Sequence, residues 1–171
     1  MRIIIDAMGG DNAPQAPVLG AIRAKRELGV DVTLVGRRED IEKHLGGEKG
    51  IEIVDAREII TMEDDPSTAT RRKKDSSLAV ALTMLKDGKG DAVVSAGSTG
   101  ALLTGATLTV KRIRGIRRAA LAPVIPNGGK GVMLIDCGAN VECTSEYLLQ
   151  DRKSTRQNSS HIRRSRMPSS A

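Results

Sequence analysis

The sequence predicts an α/β fold, a mostly parallel sheet with helices on both faces, forming three layers, α/β/α. Three observations predict it. Short β-branched runs alternate with helical patterns in the order β-α-β-α-β, joined by short connections. The apolar run Ala92 to Val94, bounded by Gly90 and Gly97, reads as a buried parallel strand. Strands of both groups empty into loops of glycine and small polar residues, and open α/β sheets bind ligands outside the carboxyl ends of their strands.

Residues 2–6 are a β-branched first strand. It empties into Ala7-Met8-Gly9-Gly10-Asp11-Asn12-Ala13-Pro14, where the glycine pair permits unusual backbone angles and Pro14 suits the first turn of a helix. Val18, Leu19, Ile22 and Leu28 recur at near-helical spacing, and Gly29 ends that helix. Asp6 and Asp11 read either as strand-end and cap residues or as the lip of a site. Residues 31–35 form a second strand. A short helix opens at residues 36–40 and ends near Gly46-Gly47, with His44 a surface histidine among charged neighbours. Residues 51–54 form a third strand, and 56–70 are less regular, with a turn at 62–66. Arg71-Arg72-Lys73-Lys74 then precede a helix capped at Ser76 or Ser77 and running to Lys86, which leads into the strand at 92–94. Four consecutive cations read as a solvated helix end, or as a cationic loop meeting an anion at the same edge of the sheet.

The chain is organised around residues 91–105. Gly97-Ser98-Thr99-Gly100 break the strand, and a helical pattern follows over 101–110. The first N–H groups of a helix have no partner inside it, so a strand, a small-residue loop and a helix start make an anion site. Ser98 and Thr99 add hydroxyl donors, or simply cap the helix. The loop is neither a Walker A sequence nor G-x-G-x-x-G. A helix N-terminus contributes roughly 0.3–2 kcal/mol, whereas even millimolar binding needs about 4 kcal/mol. A phosphate here therefore needs Arg or Lys from elsewhere. Beyond it, 111–118 is a second basic stretch. Residues 119–125 and 132–135 read as two strands paired as a hairpin around the glycine-rich turn at 126–131. The second ends in Asp136-Cys137-Gly138-Ala139-Asn140, and a further helix starts over 142–150.

Composition narrows the function classes. The chain has 171 residues, 39% of them hydrophobic, but no Trp or Phe and one Tyr, so Ile, Val, Leu, Ala and Met make the core. The lack of aromatics argues against base-stacking recognition of nucleic acid. No apolar stretch approaches the roughly 20 residues of a membrane-spanning helix, and the N-terminus does not read as a signal peptide. Cys137 and Cys143 lack a zinc-type pattern, and a reducing cytoplasm is the expected setting. The net charge of +6 belongs mostly to residues 151–171, which carry +5 and leave +1 for the first 150. That segment is rich in Arg, Ser and Asn, has no amphipathic period and reads as disordered. It resembles read-through of a sequencing adaptor and is treated as foreign to the fold.

Four motifs carry a resemblance: Asp6-Ala-Met-Gly-Gly-Asp11 with Pro14, Arg72-Lys-Lys-Asp-Ser-Ser77, Val94-Ser-Ala-Gly-Ser-Thr-Gly-Ala101, and Asp136-Cys-Gly-Ala-Asn140. In this order and spacing, residues 1–150 resemble the N-terminal part of the bacterial phosphate acyltransferase family, the PlsX type of phospholipid synthesis. Members often carry Asn at the position of Ser98. The resemblance implies a truncated α/β/α fold related to isopropylmalate dehydrogenases and phosphotransacetylases. It implies transfer of a fatty acyl group from acyl carrier protein to inorganic phosphate, giving acyl phosphate. It further implies a cytoplasmic homodimer, peripherally associated with the membrane, needing no metal or organic cofactor and binding no nucleic acid. Direct attack by bound phosphate needs no protein nucleophile, in keeping with the lack of a Ser-His-Asp set in the chain. On this reading Lys74, Ser98 and Asn140 are the catalytic candidates. Gly97, Thr99 and Gly100 cradle phosphate or the oxyanion together with Ser98, and Lys73 neutralises it or docks the carrier protein with Lys74. Asp136 orients the site with Asn140, and Gly9-Gly10 form a further wall. The competing readings are acyl transfer between phosphate and coenzyme A, a non-catalytic phosphate-binding module, and a nucleic-acid binder carried by the tail alone. With the family's second half lacking, the chain by itself is expected to be inactive and poorly stable.

Overall fold

The computed structural model describes residues 1–114, 116–129, 131–139 and 144–149. They fall into two compact units, Met1–Lys111 and the residues from Arg112 onward.

The first unit holds a four-stranded, all-parallel sheet in the order β3-β2-β1-β4, built from β1 (Arg2–Asp6), β2 (Asp31–Gly36), β3 (Glu52–Asp55) and β4 (Ala92–Val94). Alternation along each strand sends side chains to opposite faces. Val32 and Leu34 of β2 join Val18, Ala21 and Ile22 of α1 (Gln15–Leu28) and Ile41 of α2 (Arg38–Leu45) in one apolar cluster. Ile4 of β1 and Val35 of β2 turn the other way, onto Ala81 and Met84 of α4 (Ser77–Lys86). Helices therefore cover both faces, giving the expected three layers.

The sequence explains why α4 is apolar nearly all round. One side lies on the sheet, and Leu78 and Leu82 on the other pack against Ala69 of α3 (Ala69–Arg72) and Ala101 of α5 (Thr99–Thr109). Gly105 lets α5 come close, since a Cβ there would lie 2.7 Å from Thr70 Cγ2 and 2.8 Å from Leu82 Cδ1. Ser76, fully buried, caps α4 by accepting from the Ala79 amide at 3.3 Å.

Three expectations need correction. Strand β4 is an edge strand among the described residues of this unit, and Val94 is 52% exposed, so its apolar run lacks the second neighbour that a buried parallel strand has. The run 71–74 is not one cationic surface: the single-turn helix α3 stops at Arg72, and Lys73 turns inward. Pro14 occupies the N-cap of α1 rather than its first turn.

In the second unit, β5 (Val124–Ile125) pairs antiparallel with β6 (Val132–Met133), the hairpin expected around the 126–131 turn but only two residues long on each side. All four side chains are exposed, and an isolated two-stranded ribbon has little to hold it longer. Residues 145–149 are helical, with the Arg118 guanidinium 4.8 Å from the centre of the Tyr147 ring.

Candidate functional site

Parallel pairing of β1 with β4 sets Ile5 opposite Val94, so the loops that follow the two strands leave the sheet side by side. They are tied together by a buried relay. The Gly97 amide donates to Ser95 Oγ at 3.1 Å, and the Ser95 hydroxyl donates to Asp6 Oδ2 at 2.7 Å. The Met8 amide donates to Asp6 Oδ1 at 3.2 Å, and Asp6 is only 3% exposed. The backbones then touch: a Cβ on Gly97 would lie 3.2 Å from Gly9 Cα, and one on Gly10 2.9 Å from the Ala96 carbonyl oxygen. Gly10 also has φ +103°, a conformation that L side chains rarely adopt.

Beside this junction lies a cleft of about 200 Å³, lined by Met8, Gly10, Asp11, Gly97 and Ser98 and closed on the far side by residues 59–62. Ser98 is the N-cap of α5, accepting from the Ala101 amide at 3.3 Å. Its hydroxyl proton stays available to donate, so capping and ligand contact are compatible. The amides of Thr99 and Gly100 donate to no protein acceptor among the described residues, as expected for a first helical turn. Of these donors only Ser98 lines the cleft. Its one charged wall is the carboxylate of Asp11, so a bound dianion needs a cation from beyond these walls.

The remaining candidates are placed as follows. Gly9, Gly10, Gly97 and Ser98 come together at the junction. Thr99 and Gly100 open α5 but do not line the cleft, and a Cβ on Gly100 would meet Pro66 Cβ at 2.9 Å. Lys73 Nζ pairs with Asp64 Oδ2 at 2.6 Å and donates to the Ile59 carbonyl at 2.8 Å. It latches the 59–64 segment that forms the far wall. Lys74 is exposed and lines a different cleft, with Glu52, Thr83 and Asp87 among its walls. Asp136 lies in the second unit, where its Oδ1 accepts from the Leu121 and Ala139 amides at 2.8 and 3.3 Å. Asn140 lies outside the described residues.

Sequence reasoning did not single out Ser95, and left Asp6 open between strand end and site. The signal was present, an Asp and a Ser each closing a strand, but their meeting depends on a register no local pattern encodes. The 59–62 wall has no sequence signature.

The latch yields a pH prediction. The Lys73 ammonium, first, and the Thr61 amide beside Asp64 hold its carboxyl below its ordinary value. A depressed native pKa means the pairing stabilises the wall in full above the ordinary carboxylate value of about 4, and that this contribution is lost as pH falls through the lowered native value. The Thr61 amide donates to Asp64 Oδ2 at 2.7 Å, so its proton shift in NMR should titrate with a midpoint below about 4. Lys73→Met should raise that midpoint, and Asp64→Asn should abolish the titration.

A family model described as fatty acid synthesis protein matches residues 1–156. The chain is 52% identical over 154 residues to a phosphate acyltransferase of Clostridium kluyveri, covering 88% of this chain and 46% of that protein. It is 48% identical over 155 residues to the phosphate acyltransferase of Clostridium acetobutylicum, covering 88% and 47%. The chain therefore spans about half the length of the curated relatives it matches. Among solved structures it is similar to a phosphotransacetylase from Streptococcus pyogenes, with a TM-score of 0.64 and 18% identity over 89% of this chain and 51% of that one. The EutD phosphotransacetylase from Staphylococcus aureus gives 0.64 and 17% over 88% and 50%. At that identity the likeness is one of fold, and it agrees with the three layers seen here.

Proposed function

The chain belongs to the fatty acid synthesis protein family, and from that premise we propose that it forms the phosphate-binding half of a phosphate acyltransferase that moves a fatty acyl group from acyl carrier protein to inorganic phosphate. The observation that carries this reading is the cleft beside the junction of the β1 and β4 glycine loops, lined by the hydroxyl of Ser98 that caps α5.

In the proposed reaction a phosphate oxygen attacks the thioester carbonyl carbon. The C–O bond forms, and the carbonyl π pair moves onto oxygen. Collapse of the tetrahedral intermediate breaks the C–S bond, and the phosphate proton ends on the departing thiolate. Backbone and hydroxyl donors suit both needs. They hold an anion without removing its nucleophilic lone pairs, and one donor aimed at an oxyanion is worth about 10²–10³-fold in rate. The Ser98 hydroxyl lining the cleft supplies one such donor here, and the Thr99 and Gly100 amides follow it at the start of α5. The cation that completes phosphate binding comes on this reading from beyond the walls of the cleft. The exposed Arg71 and Arg72 offer basic groups to an acidic carrier protein, and Lys74 offers a further one at a separate cleft. No helix among the described residues is long and apolar enough to cross a membrane, and the proposed setting is the cytoplasm, with the enzyme as a homodimer at the membrane surface.

The test is a completed protein, residues 1–149 continued by the remainder of the Clostridium kluyveri enzyme. Phosphate-dependent loss of acyl carrier protein thioester, with acyl phosphate trapped by hydroxylamine, supports the proposal. Turnover with acyl-coenzyme A alone would favour the phosphotransacetylase reading, and phosphate binding without product would favour a binding module. Ser98→Asp separates the two uses of the side chain: it keeps a competent cap but sets a negative charge in the cleft. It should remove activity at least about 100-fold, and any loss of stability from the buried charge is read separately by urea unfolding.

A further inference from the structure

On the α1 face of the sheet runs an almost wholly apolar groove of about 520 Å³ that reaches Asp6 and Ala96 of the glycine junction at one end. Its floor includes Ile3 and Ile5 of β1 and Val94 of the edge strand β4, and its wall includes Ala16, Gly20 and Ala24 of α1. These three recur every four residues and share one side of the helix. Ala16 and Gly20 are exposed, Leu28 at the groove's end is 72% exposed, and a Cβ built on Gly20 meets nothing within 4 Å. A contiguous apolar surface of this kind, running to an unpaired strand edge, marks an interface.

We infer that the groove seats an amphipathic helix from the part of the longer phosphate acyltransferases that this chain does not span. Three observations choose this occupant. More than half the length of the relatives is unaccounted for. The groove is continuous with the edge of β4 that carries no further strand among the described residues of this unit. The small residues of α1 let a second helix backbone approach closely. Topology narrows the segment further. Helix α5 leaves β4 on the α4 side of the sheet, where it packs on Leu82, whereas the groove opens on the α1 side. The occupant therefore belongs to a later connection, not the one that α5 begins.

The test is a size series at Gly20, Gly20→Ala and Gly20→Leu, made in the 171-residue chain and in the completed protein described above. In the chain alone both fit open space and improve helix propensity, so Tm should stay level or rise by about 2 °C. In the completed protein Gly20→Leu should lower Tm by about 3 °C or more, with Gly20→Ala between. The same sign in both backgrounds would overturn the inference. So would a dimer of the chain alone that Gly20→Leu dissociates, which would make a second copy the occupant, or saturable binding of palmitate to the chain alone that Gly20→Leu removes. The inference rests on membership of the longer family but not on its chemistry. An active completed protein indifferent to Gly20 sinks the groove assignment alone, and an inactive one sensitive to Gly20 sinks only the acyltransfer reading.

Discussion

Gly9→Ala should cost about 2–4 kcal/mol of stability and remove phosphate-dependent turnover from the completed protein. A Cβ at Gly9 would lie 2.5 Å from Asp6 Oδ2, 2.9 Å from Ser95 Oγ and 3.0 Å from the Gly97 amide nitrogen. None of these is the loose end of a flexible side chain. The carboxylate is fixed by two donors and the hydroxyl sits between Gly97 and Asp6. Overpacking at such a site costs about 1–3 kcal/mol, and a displaced buried hydrogen bond adds about 1 kcal/mol. Against a typical total of roughly 5–15 kcal/mol that is a large fraction, readable as a lower urea midpoint with an unchanged slope. In the 171-residue chain alone Gly20→Ala is the control, with the same chemistry in open space and a Tm that stays level or rises.

Asp6→Ala is expected to be as damaging for a different reason. It creates little volume strain but strands the Met8 amide and the Ser95 hydroxyl in a buried site, at about 1–3 kcal/mol for each unpaired group. Asp6→Asn should fall between. Its oxygen still accepts from Met8, but its NH₂ meets a Ser95 oxygen already accepting from Gly97, and the serine proton must find another acceptor. Ser95→Ala breaks the same relay from its middle. The double variant should therefore be at least about 0.5 kcal/mol less costly than the sum of the two single ones, measured by urea unfolding. Strict additivity would show that the three groups do not act as a unit.

Most of the first unit was legible because each element carries its own local signal. The β-branched runs mark β1, β2 and β3 to within a residue, and the apolar positions of α1 and Gly29 mark that helix. What stayed hidden was set by contacts far apart in sequence. Lys73 and Lys74 look alike in the chain, yet one is drawn inward by Asp64 and the Ile59 carbonyl while the other lines a separate cleft, because a one-turn helix ends between Arg72 and Lys73. The strand at 92–94 has a central strand's composition but an edge strand's position among the described residues of the first unit. Ser98 was legible as a cap and as a ligand contact at once, and the structure accommodates both.

The bond between Ser95 and Asp6 spans 89 positions of chain. Nothing near Asp6 along the backbone substitutes for it, so the glycine junction cannot preassemble on the emerging N-terminal strand. A ribosome must deliver β2, β3 and the whole of α4 before the junction of the two glycine loops can close. Nascent chains shorter than this carry the first glycine loop without its counterpart. Long-range closure of this sort delays folding, which makes the junction a late arrival during synthesis.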